Sequence, residues 1–151
     1  KKELTMTGQE NIKVVRNIYD SYNRRDFDSA LKNIDKNVEI VNVALNTTLR
    51  GPDGFRQFMQ GWETAFPDSK VDVKNIFASE DFVVVEFTGK GTHKGVLWTP
   101  DGELPATGKP LNLNFCDIHT VKDGKITRMK SYYDLATILH QIGYMPELRH
   151  H

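Results

Sequence analysis

Several features that would point directly to a function are missing from this 151-residue chain. Cys116 is its single cysteine, so no internal disulfide can form and the fold needs no oxidising compartment. Neither charge is in excess, since 20 Lys+Arg stand against 20 Asp+Glu. That removes the overall attraction on which general nucleic-acid and anionic-membrane binders depend. No apolar run approaches the roughly 18–20 residues that cross a bilayer. The start, Lys1-Lys2-Glu3-Leu4-Thr5, has neither an initiator Met nor an apolar signal core, so residues 1–7 read as a leader. Residues 149–151, Arg-His-His, read as a tag remnant and stay out of any metal argument. Internal repeats and low-complexity tracts are absent. The expectation is a soluble, cytoplasmic protein with one domain at residues 8–146 and neither nucleic-acid nor membrane partners.

Cofactor signals are equally thin. Gly89-Lys90-Gly91 followed by Gly95 is not the dinucleotide spacing and lies in a strand pattern. His93, His119 and His140 show no paired metal-ligand spacing. No metal and no organic cofactor are expected.

What is present is patterning. Ile12, Val15, Ile18, Tyr19 and Tyr22 form a helical stripe between Gly8 and Arg24, by their 3–4 spacing. Asp26 or Phe27 opens a second helix predicted to run through Ile34, with Ala30 and Leu31 inward. Val38–Val43 is rich in β-branched residues and reads as a strand. After the turn Gly51-Pro52-Asp53-Gly54, a third helix carries Phe55, Phe58, Met59, Trp62 and Phe66 and stops at Pro67. The second half is strands: 71–76, 82–91, 111–121 and 126–133. Asp123-Gly124 is a hairpin turn of the primed type, and residues 95–105 form a long, poorly periodic connection, a candidate lid. Asp134 has the chemistry of an N-cap for a last helix ending at Gly143. Helices first and hairpinned strands afterwards predict an α+β domain with helices over one face of an antiparallel sheet.

Alternation along 111–121 puts Leu111, Leu113, Phe115, Asp117, His119 and Val121 on one face and Cys116 on the other. The first face is the more apolar and is predicted to lie beneath the helices. Asp117 and His119 are then ionisable groups on a hydrophobic surface, where an unpaired charge costs several kcal/mol. They read either as a structural pair or as an acid/base site, because a carboxyl in apolar surroundings is tuned toward neutral pH. On the next strand Thr127, Met129, Ser131 and Tyr133 are predicted to join the same interior, with Arg128, Lys130 and Tyr132 outside. Tyr19, Tyr22, Phe55, Phe58, Trp62 and Phe66 read as core, as the wall of a pocket for a flat or greasy ligand, or as both.

The run Gly91-Thr92-His93-Lys94-Gly95, Ala106-Thr107-Gly108-Lys109-Pro110, Asp123-Gly124-Lys125-Ile126, Tyr132-Tyr133-Asp134 and Gln141-Ile142-Gly143 resembles the SnoaL-like polyketide cyclase family. Upstream, Tyr22-Asn23-Arg24-Arg25-Asp26, Gly51-Pro52-Asp53-Gly54-Phe55, Trp62 and Phe66-Pro67-Asp68 fit it as well. The resemblance spans about Gln9 to Gly143. It implies the nuclear transport factor 2-like, or cystatin-like, α+β barrel: a cone-shaped curved antiparallel sheet wrapped by three N-terminal helices and a short C-terminal helix, commonly dimeric. Such cyclases close a ring by an intramolecular aldol step without a cofactor, with an Asp as general acid/base. Of the family's two aspartates, the second matches Asp134 but the catalytic one falls on Ser131, and the family's pocket His aligns with Asp117.

Three readings follow. The first is a cofactor-free enzyme of the cyclase, isomerase or lyase kind. In it Asp117 is the acid/base, His119 orients it, Ser131, Tyr133 and Asp134 bind polar substrate atoms, and Tyr19, Phe58, Trp62, Trp98, Phe115 and Met129 wall the pocket. The second is a non-catalytic carrier of an apolar or weakly polar small molecule. The third is a dimerising interaction module. A homodimer contact is predicted on the outer sheet face.

Overall fold

The computed structural model describes residues 2–145, with side chains from Gly8 onward; Lys1 and the predicted tag remnant lie outside the described residues. The apolar stripe becomes α1, Lys2–Arg24, which starts earlier than Gly8 and buries Val15, Ile18, Tyr19 and Tyr22. The helix ends at Arg25, whose φ of 59° is left-handed. Its guanidinium offsets that strain by donating to the carbonyls of Tyr22, Pro67 and Ser69. The end of α1 is thereby tied to the chain that follows α3.

The second helix is shorter than predicted. Capped by Asp26, α2 covers only Phe27–Ala30, and a 3-10 turn, Leu31–Asn33, follows. Ile34 already belongs to β1, Ile34–Asn42, where it pairs with Ile126; strand pairing of a β-branched side chain outweighs local helical spacing. No local pattern announces β2, Thr47–Arg50, a short edge strand turned back through left-handed Asn46. Then come α3, Gly51–Ala65, with Pro52 in its first turn, β3, Lys70–Ser79, and β4, Phe82–Thr92. The predicted long connection contains a small hairpin, β5 Leu97–Thr99 with β6 Gly102–Leu104. β7, Pro110–Lys122, β8, Lys125–Tyr133, and α4, Leu135–Ile142, complete the chain.

The six-stranded sheet runs β2-β1-β8-β7-β4-β3. Its ladders are antiparallel except β1–β8, which is parallel. The antiparallel expectation is corrected at that pair, because hairpin turns specify only chain neighbours and β1 meets β8 across most of the sequence. The β7–β8 turn is as predicted, with Asp123 and Gly124 both at positive φ, 51° and 73°. Just beyond it the register shifts: Val121 faces Ile126 while Thr120 faces Arg128. Thr127 is left over in this bulge and Ile126 turns inward, fully buried. Thr127 therefore does not take the interior place predicted for it.

The C-terminal end of α3 fixes the start of the β5–β6 hairpin. Lys94 N–H and Gly95 N–H both donate to the Ala65 carbonyl at 3.1 Å. A Cβ on Gly95 would stand 1.9 Å from the Thr64 carbonyl oxygen, a backbone atom that cannot move aside alone. Gly95→Ala is expected to lower unfolding free energy by about 1–3 kcal/mol or more, read as a lower urea midpoint. Gly61→Ala is the control, since no atom lies within 4 Å of its Cβ position and alanine favours a helix interior.

Candidate active site

The buried face of β7 is the predicted one. Leu111, Leu113, Asp117, His119 and Val121 are buried and Phe115 is half-buried, while Cys116, on the other face, is half-buried too. Asp117 lies between Val85 of β4 and Ser131 of β8, and His119 between Val83 and Met129. Asp117 is 3% exposed and His119 fully buried, so both need partners.

Tyr19, reaching down from α1, supplies one to each. Its hydroxyl donates to Asp117 Oδ2 at 2.7 Å and lies 2.7 Å from His119 Nε2. A phenol has a single proton. With that proton on Asp117, the bond to histidine requires Nε2–H as donor and leaves Nδ1 bare. His119 Nδ1 has no partner among the described residues, which suits a bare nitrogen better than a buried N–H. The tautomer is thus fixed by the hydrogen bonds around it.

Burial sets the protonation of all three groups. It pushes His119 down to about 3, so the imidazole is neutral at physiological pH. It raises Asp117 to about 6, against the Tyr19 hydrogen bond and the Ser131 hydroxyl, which favour the carboxylate. Burial, and then the charge of Asp117, hold the Tyr19 phenol well above its ordinary value. Asp117 Oδ1 has no partner of hydrogen-bond geometry among the described residues, the Ser131 hydroxyl opposite it being near enough only to favour the charge. Protonation at Oδ2 would turn the Tyr19 hydroxyl to donate to Nε2, which must then be bare, and so would place the imidazole N–H on the unpartnered Nδ1. Oδ1 is consequently the oxygen that can hold a proton without disturbing the bonds of Tyr19.

Asp117 and Ser131 line a pocket of about 80 Å³. Of the residues singled out from sequence, Tyr19, Phe58, Trp62, Phe115 and Met129 line it too. His119 stands behind Tyr19, outside the lining. Tyr133 and Trp98 line a second cavity, Trp98 being 57% exposed. Asp134 is at the cap of α4, accepting from Ala136 N–H at 3.0 Å and the Thr137 hydroxyl at 2.8 Å.

Sequence reasoning passed over Phe87, which lines the pocket and stacks on Phe115 with centroids 4.7 Å apart. Its alternation with Val83 and Val85 was the available signal. It also passed over Asn42, whose signal was a lone amide within a β-branched run. His93 is buried against Phe66, centroids 5.4 Å apart, away from the trio. Among the described residues no three His, Cys, Asp or Glu side chains converge as metal ligands, and no helix is long and apolar enough to cross a membrane.

The sequence profile of the SnoaL-like polyketide cyclase family matches residues 12–142. No curated protein matches the chain in sequence. Among solved structures, a candidate SnoaL-like polyketide cyclase from Jannaschia sp. CCS1 has a TM-score of 0.81 at 20% identity, with 92% of this chain and 95% of that one covered. AclR, a candidate hydroxylase from Streptomyces galilaeus, has a TM-score of 0.76 at 21% identity, with 93% and 89% covered. An LEH-like epoxide hydrolase from M. tuberculosis has a TM-score of 0.69 at 18% identity, with 90% and 91% covered. At such identities the likeness establishes the fold: helices folded over a curved sheet.

Proposed function

Because this chain belongs to the SnoaL-like polyketide cyclase family, we propose that it is a small-molecule enzyme whose cofactor-free general acid/base is Asp117. One observation carries the reading: a buried carboxyl raised to about 6, one oxygen held by Tyr19 and the other unpartnered, on a residue lining an apolar pocket. Oδ1 takes a proton from a carbon next to a carbonyl and returns it to the developing oxygen or to a second carbon, as ring closure, isomerisation or elimination requires. Tyr19 keeps Oδ2 occupied, and His119 keeps Tyr19 turned toward Asp117. Ser131 offers a hydroxyl to a substrate oxygen. The apolar walls exclude water and favour an uncharged or weakly polar substrate.

The base form is the carboxylate, so kcat/KM is expected to rise with pH through about 6 and then level off. Tyr19→Phe removes a hydrogen bond that favours the carboxylate, which moves that limb to higher pH. A pH–rate profile of Tyr19→Phe superimposable on the wild type would remove Tyr19 from the mechanism.

Ser131, at the position where the family resemblance places its acid, favours a second reading: a carrier that binds in the same pocket without turnover. Recovery of a tightly bound ligand chemically unaltered after long incubation selects it over the enzyme.

We place a homodimer contact on the outer sheet face. The ladder register lines up Phe77, Val84, Ile118 and Lys130 in one row and Phe82, Thr120 and Arg128 in another. Phe77 and Phe82 are 53% and 50% exposed, and Tyr132 lies in the adjacent row. Sedimentation at micromolar concentration is expected to give a dimer, and Phe82→Glu a monomer. A wild-type monomer there counts against the contact.

A further inference from the structure

On the far side of Phe58 and Trp62 from Asp117 lies a second cavity, of about 570 Å³, between α3, the β1–β2 hairpin and the β5–β6 hairpin. Phe58 and Trp62 line both spaces. Trp62 is fixed as a partition by edge-on contacts to Phe115 and Tyr133, at 5.3 and 5.2 Å between centroids.

The walls are mainly apolar, and Asn42 and Tyr133 form an organised polar pair among them. The Tyr133 hydroxyl donates to Asn42 Oδ1 at 2.8 Å, and the Leu45 N–H donates to the same oxygen at 3.4 Å. With Oδ1 engaged twice, the orientation of the Asn42 amide is set. Its Nδ2 carries two protons with no acceptor among the described side chains, on a residue only 9% exposed. A donor held in one orientation, not sealed from solvent and without a protein acceptor is a recognition group for a ligand oxygen.

We propose that this cavity binds the distal part of an elongated, uncharged, largely apolar molecule whose acceptor oxygen takes the Asn42 Nδ2–H. Its reacting end lies past Phe58 and Trp62 at Asp117; that placement rests on the function proposed above, whereas the Asn42 subsite does not. Trp62 then sets how long a ligand the Asp117 pocket admits. Trp98, at the rim on β5, lies over the distal end.

The chain has two tryptophans, and both line this cavity, so single-tryptophan proteins report occupancy without any turnover. In Trp62→Phe, 9,10-anthraquinone, a three-ring probe with carbonyl acceptors, is expected to quench Trp98. Anthracene, with the same rings and no acceptor, is expected to bind more weakly. Added to that reporter, Asn42→Leu should weaken anthraquinone about tenfold and leave anthracene unchanged. Asn42→Asp keeps the acceptor for Tyr133 and Leu45 but loses the donor, so it should weaken anthraquinone likewise, with the fold checked by circular dichroism. Both affinities are read without turnover, which separates failure of the subsite from failure of the acid/base role. Equal binding of the two probes, an equal effect of the Asn42 substitutions on both, or quenching seen only in the Trp98→Phe protein would overturn the proposal.

Discussion

Asp117→Asn is expected to lower kcat/KM by about 10²–10⁴-fold on any substrate the wild-type protein turns over, with the fold retained. The amide is isosteric and its oxygen can still accept from Tyr19, but it cannot take a proton at the position of Oδ1. Activity within a few-fold of wild type would sink the acid/base role. The same substitution has a stability signature of definite sign. Asp117 goes from an ordinary 3.8 in the unfolded chain to about 6 in the folded one, so the native state holds its proton more tightly. The stabilisation that follows is complete below pH 3.8 and is lost as pH rises through 6. Asp117→Asn should therefore gain on the wild type across that window, by about 3 kcal/mol in total, since each tenfold change in proton affinity is worth about 1.36 kcal/mol. His119 contributes the opposite slope in both proteins and cancels in the difference. Its value, depressed to about 3, gives stability that is present above 6.5 and lost as pH falls. Urea unfolding of both proteins near pH 4 and pH 7 reads the difference directly. A difference that does not change with pH would mean that Asp117 is not raised.

Phe55→Ala is expected to cost about 3–5 kcal/mol, a large part of the 5–15 kcal/mol that typically holds a domain together. Phe55 is fully buried in the first turns of α3, in the core cluster that joins α1, α3 and the sheet. At roughly 2–4 °C per kcal/mol for a domain of this size, Tm should fall by roughly 6–20 °C. Phe55 also lines the Asp117 pocket, so truncation enlarges an existing cavity instead of sealing off a new one. A small apolar ligand such as toluene should then restore part of the loss in the variant and do less for the wild type. A Tm drop of only a degree or two would place Phe55 outside the structural core.

The sheet and its inner face were legible because their signals are local. Period-two alternation on β7 separated Asp117 and His119 from Cys116, and the Asp123-Gly124 dipeptide fixed the hairpin that joins β7 to β8. Asp134 and Gly143 marked both ends of α4 by their capping chemistry. Local signals failed where a long-range contact overrode them. Ile34 left its helical stripe to pair with Ile126, β1 lay parallel to β8, and a one-residue bulge exchanged Thr127 for Ile126 in the core.

The site divides along the same line. Sequence by itself determined that a carboxyl and an imidazole sit on an apolar strand face, since alternation depends on nothing beyond the strand. It could not determine what they do, because that depends on a partner from another element. Only the tertiary structure brought Tyr19 from the first helix to within 2.7 Å of both groups, fixing the histidine tautomer and leaving Oδ1 unpartnered. It likewise put Trp98, expected to wall the Asp117 pocket, and Tyr133, expected to bind polar substrate atoms there, on a separate cavity. Hydrogen bonds between residues about a hundred positions apart leave no periodicity in a chain; they exist once packing has placed a donor against an acceptor and removed the water between them.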